Sequence, residues 1–142
     1  MSIQNILDRK TAEVFAIRPT ETIRTAAQLM QAHGIGALVV RTGDIISGLI
    51  SERDIVHAIS QHGERALFMT TLDVMTRNAV TVTPDDSLKR ATSLMTGHRL
   101  RHLTVIAAGK LIGIVSIGDV VKTRMEELES EHEQLQSYIT QG

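Results

Sequence analysis

The sequence predicts an α+β fold in which two tandem β-α-β-β-α repeats pack together as one pseudo-symmetric module, with a C-terminal helical extension. Two observations carry this. First, residues 19–56 slide onto residues 84–121 without a gap, an offset of 65 residues at which 11 of 38 positions are identical. The identities pair Pro19 with Pro84, Ala26 with Ala91, Leu29-Met30 with Leu94-Met95, His33 with His98, Leu38 with Leu103 and Val40 with Val105. They continue with Gly48 and Gly113, Ser51 and Ser116, Asp54 and Asp119, and Val56 and Val121. Self-similarity of this kind marks one structural unit used twice. Second, a unit of about 60 residues is marginal alone, so two copies in 142 residues are expected to share one module.

In chain order, residues 1–10 suit a short amphipathic helix with Ile3, Ile6 and Leu7 on one side, packing onto the module or onto a neighbouring subunit. Val14-Phe15-Ala16-Ile17 reads as a strand that leaves into a turn at Arg18-Pro19. Thr20 to Thr22 offer caps for a helix with Ile23, Ala26, Ala27 and Met30 on its apolar face, stopped at His33-Gly34. Ala37–Val40 and Ile45–Ile50 form a hairpin about Arg41-Thr42-Gly43-Asp44. A helix follows from Arg53 to Ser60. The connector holds Leu67, Phe68, Met69, Leu72 and Val74, so it is expected to be packed. The second copy repeats the order: strand Ala79–Val82, helix Leu88–His98, strands Leu103–Ile106 and Leu111–Val115, then a helix from Ile117. The repeats are thus placed at 8–63 and 76–125, the connector at 64–75 and the extension at 126–142. Along the helix from Ile117 and into that extension, Val121, Met125, Leu128, His132, Leu135 and Ile139 alternate spacings of four and three, flanked by glutamates. The stripe serves either a contact between subunits or a helix folded back onto its own module.

Composition excludes several classes of function. With no cysteine there is no disulfide framework, zinc-thiolate site or cysteine nucleophile. A net charge of -1 carries no basic field for nucleic acid, and 2% aromatic residues leave few platforms for stacking bases. Neither a signal peptide nor a membrane span is legible, so a cytoplasmic protein without membrane or nucleic-acid partners is expected. No Ser-His-Asp arrangement, phosphate-cradling loop or metal-ligand cluster points to catalysis; His57 and His62 do not share a helix face. The expectation is a protein that is not an enzyme.

Gly48-Leu49-Ile50-Ser51-Glu52-Arg53-Asp54 and Gly113-Ile114-Val115-Ser116-Ile117-Gly118-Asp119 share the pattern Gly-apolar-apolar-Ser-x-x-Asp at a strand-to-helix join. With Val74-Met75-Thr76, Pro84-Asp85-Asp86-Ser87-Leu88 and Arg101-His102-Leu103-Thr104-Val105, this tandem arrangement resembles the CBS domain, named after cystathionine β-synthase. The resemblance covers roughly residues 8–125; Thr104 departs from it, standing where the family usually has proline. It implies that the two units pair through their sheets into a Bateman module and that modules assemble as disc-like homodimers or higher homo-oligomers. It also implies adenosine-containing ligands, AMP, ATP or NAD(H) among them, in the clefts between paired units, with energy or redox sensing as the role. By the family's pattern the adenine would lie against Val14 and Ile17 in one cleft and Ala79 and Val80 in the other.

The residue chemistry suits that expectation. An ionised Asp54 or Asp119 accepts two hydrogen bonds and so matches the paired hydroxyls of a ribose. Ser51 and Ser116 precede them on the turn, close enough to contact ribose or phosphate, and the helix N-terminus beyond supplies N–H groups for anions. The same Ser-x-x-Asp is also a helix capping box, and the two roles are compatible. Where phosphates need cations the copies differ: Arg53 stands opposite Gly118, whereas Arg99, Arg101 and His102 stand opposite Gly34, Gly36 and Ala37. Complementary loss points to Arg53, Arg99, Arg101 and His102 converging on phosphates in non-equivalent sites, against the plain alternative of surface arginines. The functional expectation is a regulatory binding module that reports to a separate effector protein. The alternative is a ligand-free CBS scaffold for protein–protein interaction or oligomerisation.

Overall fold

The fold is built from two units, each a sheet covered by helices. In the computed structural model, residues 1–10, 14–77 and 80–141 are described. Residues 14–77 make one unit; residues 1–10 together with 80–141 make the other. The elements are helix α1 (Ile3–Arg9), strand β1 (Ala16–Ile17), α2 (Ile23–His33), β2 (Ala37–Thr42), β3 (Ile45–Ser51), α3 (Glu52–His62), a 3-10 helix (Gly63–Phe68), α4 (Thr71–Val74) and β4 (Thr76–Arg77). They continue with β5 (Thr81–Val82), α5 (Leu88–His98), β6 (His102–Ala107), β7 (Lys110–Ser116) and α6 (Ile117–Gln141). The β-α-β-β-α order recurs as expected.

Local chemistry explains the boundaries. Thr22 and Ser87, 65 residues apart, cap α2 and α5 by accepting from the Thr25 amide at 3.2 Å and the Arg90 amide at 3.0 Å. Gly34 ends α2 in the left-handed conformation at φ 62°. The second copy holds that conformation without glycine: Arg99 ends α5 at φ 54°. Each hairpin closes on two turn residues, Gly43-Asp44 and Ala108-Gly109. Parallel pairing of β1 with β2 (Ala16 to Val39) and of β5 with β6 (Thr81 to Thr104) follows from the crossover helices α2 and α5. Thr104 is buried and donates both its N–H and its hydroxyl to the Val80 carbonyl, each at 3.3 Å. Proline would supply neither bond.

The main departure from the sequence reading is which segment completes which repeat. Helix α1 precedes the first repeat yet belongs to the core of the second: Ile3 and Ile6 are buried with Val82, Leu88, Met95, Leu103 and Val115. Its backbone is tied there, with the Ile3 amide donating to the Asp86 carbonyl at 2.9 Å and the Gln4 amide to the Pro84 carbonyl at 3.0 Å. Of the connector's apolar residues Leu67, Met69 and Val74 are half-buried, whereas Phe68 and Leu72 are exposed, and its end completes the first repeat. Met75 joins Ile17, Ile23, Leu38 and Ile50, and Thr71, fully buried, donates its hydroxyl to the Glu21 carbonyl at 2.8 Å. Strand β4, too short for any hydrophobic pattern to announce, then pairs antiparallel with β3, Gly48 facing Arg77. Glycine is required at Gly48: a Cβ there would sit 2.2 Å from the Thr76 carbonyl oxygen. At the equivalent Gly113 a Cβ would meet the tip of Leu7 from α1 at 2.9 Å.

The extension does not fold back. Val120 and Thr123 of α6 are buried, but from Leu128 to Thr140 every residue is exposed.

Candidate functional site

Both repeats bring their hairpin to an end at a serine that starts the next helix. The Asp54 amide donates to Ser51 Oγ at 3.3 Å, and Asp54 Oδ2 accepts from the Ser51 amide at 2.9 Å and the Ser51 hydroxyl at 3.1 Å. In the second repeat the Asp119 amide donates to Ser116 Oγ at 3.1 Å and the Ser116 amide to Asp119 Oδ2 at 2.8 Å. The reciprocal cap is therefore formed in both copies. It employs one carboxylate oxygen, Oδ2, and orients the other away from the serine.

The exchanged linkers supply the next contact to each carboxylate. Thr76, from the end of the connector, donates its hydroxyl to Asp54 Oδ1 at 3.0 Å. Lys10, just beyond α1, places Nζ 2.7 Å from Asp119 Oδ2 and donates to the Ile114 carbonyl at 3.0 Å. The two carboxylates thus sit at equivalent corners but differ electrically: Asp54 faces a neutral hydroxyl, Asp119 a cation. Sequence reasoning missed both partners. Lys10 and Asp119 are 109 residues apart, and no local periodicity signals such a contact.

Partial burial pushes the Asp119 pKa up, but the hydrogen bonds from Lys10 and Ser116 and the Lys10 charge outweigh it, so the net shift is downward. A carboxyl with a lowered folded-state pKa contributes stability above its ordinary value near 3.9, and the contribution is lost as pH falls through the folded value. Lys10→Met is therefore expected to be less stable than wild type at pH 7, by no more than about 1 kcal/mol for a partly exposed pair. The gap should persist down to the ordinary carboxyl value near 3.9 and close as pH falls from there through the lowered folded-state value of Asp119. Chemical denaturation across that range checks it; a gap independent of pH would show that Lys10 acts through packing rather than charge.

The remaining candidates fall around these corners. The first N–H of α3, from Glu52, donates to the Gly36 carbonyl at 3.0 Å, and the first of α6, from Ile117, to the Arg101 carbonyl at 2.8 Å. That bond sets the start of α6 beside the α5–β6 junction, where Arg99 and Arg101 are exposed and His102 pairs in register with Ser116. Arg101, His102, Ser116, Asp119 and Lys10 are thereby gathered at one end of the second sheet. Arg53 lies exposed in the first turn of α3, one residue before Asp54. Ile17 is buried in β1, Val14 is half-buried ahead of it, and Val80 is half-buried ahead of β5. Ala79 lies outside the described residues. His33, in the last turn of α2, stacks its ring on Phe15 with centroids 3.9 Å apart. Among the described residues no cluster of three or more acidic or histidine side chains could hold a metal, and no helix is long and apolar enough to cross a membrane.

Two strand-to-helix corners with Ser-x-x-Asp caps, repeated in register, match a known family. Its model, the CBS domain, fits residues 5–61 and again 72–126. The chain belongs to the CBS-domain family. It is 39% identical over 127 residues to the mitochondrial CBS-domain-containing protein CBSX3 of Arabidopsis thaliana, covering 86% of this chain and 62% of that relative's length. Among solved CBS-domain structures, a protein of Agrobacterium tumefaciens superimposes with a TM-score of 0.85 at 38% identity, spanning 87% of this chain and 99% of its own. CBSX2, crystallised in complex with AMP, shares the fold at a TM-score of 0.71 and 22% identity, with 88% and 96% of the two chains covered. A tandem CBS pair in an α+β frame is thus the observed architecture, in a family whose general role is regulatory.

Proposed function

We propose that this chain is a non-catalytic regulatory module that binds adenosine-containing ligands, AMP, ATP or NAD(H), and relays their level to a partner protein or to its own homo-oligomeric assembly. The observation that carries the reading is the pair of capped carboxylates. Asp54 and Asp119 are each held at a strand end by their own serine, so the acceptor is ordered before any ligand arrives. Thr76 and Lys10 mark what such an acceptor attracts, a hydroxyl and a cation. A ribose diol offers the same donors in a fixed pair. The AMP complex of CBSX2, which has the same fold, supports the ligand class.

The two sites are not equivalent on this reading. Lys10 holds Asp119, the backbone of Arg101 and His102 borders the Ser116 corner, and Arg99 is in a left-handed conformation that costs a non-glycine residue about 1 kcal/mol. The Asp119 site is assigned the more phosphorylated ligand, with these basic groups on the phosphates. A second reading, a ligand-free scaffold, draws on the same contacts: cap, Thr76 and Lys10 already satisfy both carboxylates.

A thermal-shift panel on ligand-stripped protein separates the two, using AMP, ADP, ATP, NAD, NADH and S-adenosylmethionine with GTP as control. A compound present at 100 times its Kd should stabilise by about 2.7 kcal/mol, or several degrees in Tm. A flat panel would favour the scaffold.

A further inference from the structure

We propose that the stripe of α6 from Val121 to Ile139 is a self-association surface that pairs, parallel and in register, with the same stripe of a second copy of this chain. The proposal does not depend on what the carboxylate sites bind. The second match of the family model ends at residue 126, so most of this stripe lies beyond the CBS repeat itself. Leu135, Tyr138 and Ile139 are 59%, 77% and 67% exposed. A stretch of about 15 residues is marginal as a helix in water without tertiary support, and this one has an apolar stripe with nothing on it from its own unit.

Position by position, the stripe fits a heptad seam. Val121, Leu128 and Leu135 take the d positions and Met125, His132 and Ile139 the a positions. Thr123, on the opposite face, is the residue buried against the unit, so the seam begins on the outward side. There a shallow groove of about 550 Å³ is lined by Val121, Met125 and Glu129 among others. Glu126 and Glu127 sit off the seam and are engaged at home, Glu126 by Arg9 and Glu127 by the Met1 ammonium at 3.4 Å and by Arg124 at 2.8 Å, an exposed pair that Arg124 exchanges for Glu129 of the second copy on association.

The charges choose the occupant and its direction. The residues flanking the seam are Lys122, Glu129 and Gln136 on one side and Arg124, Glu131 and Tyr138 on the other. Parallel in-register pairing sets Arg124 of each copy against Glu129 of the other and Glu131 against Gln136, with His132 facing its twin. A polar residue at a single a position is a register marker of the kind coiled coils use. Antiparallel pairing with full overlap sets Glu129 against Glu129 and Glu131 against Glu131. Shifting the antiparallel pair to match Arg124 with Glu131 leaves Leu135 and Ile139 beyond the partner's stripe. Only the parallel arrangement covers the whole stripe without like charges in contact.

Because the chain has no cysteine, single thiols report the geometry in the full-length protein. Leu135→Cys should convert to a disulfide dimer under oxidised glutathione, since parallel d positions lie within bridging distance, while Glu133→Cys on the outer face should stay reduced. An equimolar mixture of Met125→Cys and Leu135→Cys should give homodimers only. In the antiparallel arrangement Leu135 lies about 15 Å, ten residues of rise, from its twin, so the mixture would give heterodimers. Independently, Arg124→Glu should raise the dimer dissociation constant about fivefold, and adding Glu129→Arg should restore it. Heterodimer in the mixture, or a monomer in sedimentation with Leu135→Cys unbridged, overturns the proposal; in the second case the stripe belongs to a different partner.

Discussion

Alanine at Asp119 or at Asp54 is expected to weaken binding of an adenosine ligand by at least about tenfold, near 1.4 kcal/mol. Each carboxylate would lose charged hydrogen bonds to the ribose, worth roughly 1.5 to 3 kcal/mol apiece before desolvation. The substitutions also remove half of a reciprocal cap, so the comparison needs a variant that loses the cap alone. Ser116→Ala comes nearest to it, losing the cap and one neutral hydroxyl. It takes away the acceptor for the Asp119 amide, costing about 1 kcal/mol of stability, but keeps the carboxylate. Calorimetric titration should find its affinity within about threefold of wild type, roughly 0.7 kcal/mol. Equal losses in the serine and aspartate variants would trace the effect to the helix start, and unchanged affinity in both aspartate variants would end the ribose assignment.

The largest effect on stability is expected from Gly48→Ala. An added Cβ meets backbone, the Thr76 carbonyl oxygen at 2.2 Å and its carbon at 3.1 Å, and backbone has no rotamer by which to yield. Strand β4 must move off β3, taking with it the Gly48–Arg77 pairing, the packing of Met75 and the Thr76 hydrogen bond to Asp54. A loss of about 3 kcal/mol is expected, at the upper end for overpacking. Gly113→Ala is the internal control. Its Cβ meets only the end of the Leu7 side chain, which can rotate, so about 1 kcal/mol is expected. Urea unfolding of the two variants checks the ratio, and equal losses would mean that the linkers are held less firmly than the close approach at Gly48 implies.

These two glycines also show what could be read from the sequence and what could not. Their recurrence 65 residues apart was legible as repetition, but not its cause, a linker crossing close above each hairpin. Hairpins and helices were legible because their signals are local. Gly43 supplies the turn at φ 57°, and α5 runs from Leu88 to His98 as the apolar spacing and its capping serine indicate. The Ser-x-x-Asp corners were legible for the same reason, four consecutive residues holding one another. Assignment of α1 to the second repeat was hidden, because amphipathicity tells a helix that it must be covered but not by what. Lys10 was hidden likewise: nothing around it in sequence marks it as the partner of a carboxylate more than a hundred positions away.

The exchange of linkers sets an order of events during translation. Residues 14–77 supply all the elements of their own unit, so every part of the first repeat has been made before the second is complete. Helix α1 is made first yet has nothing to dock on until β7 and the start of α6 emerge more than a hundred residues later. At about 5–20 residues per second that is a wait of roughly 5–20 seconds. Throughout it Ile3 and Ile6, fully or nearly fully buried in the finished protein, stay uncovered on the nascent chain. A segment made ahead of both repeats is thus put in place only after the first of them is complete, and its docking closes the second.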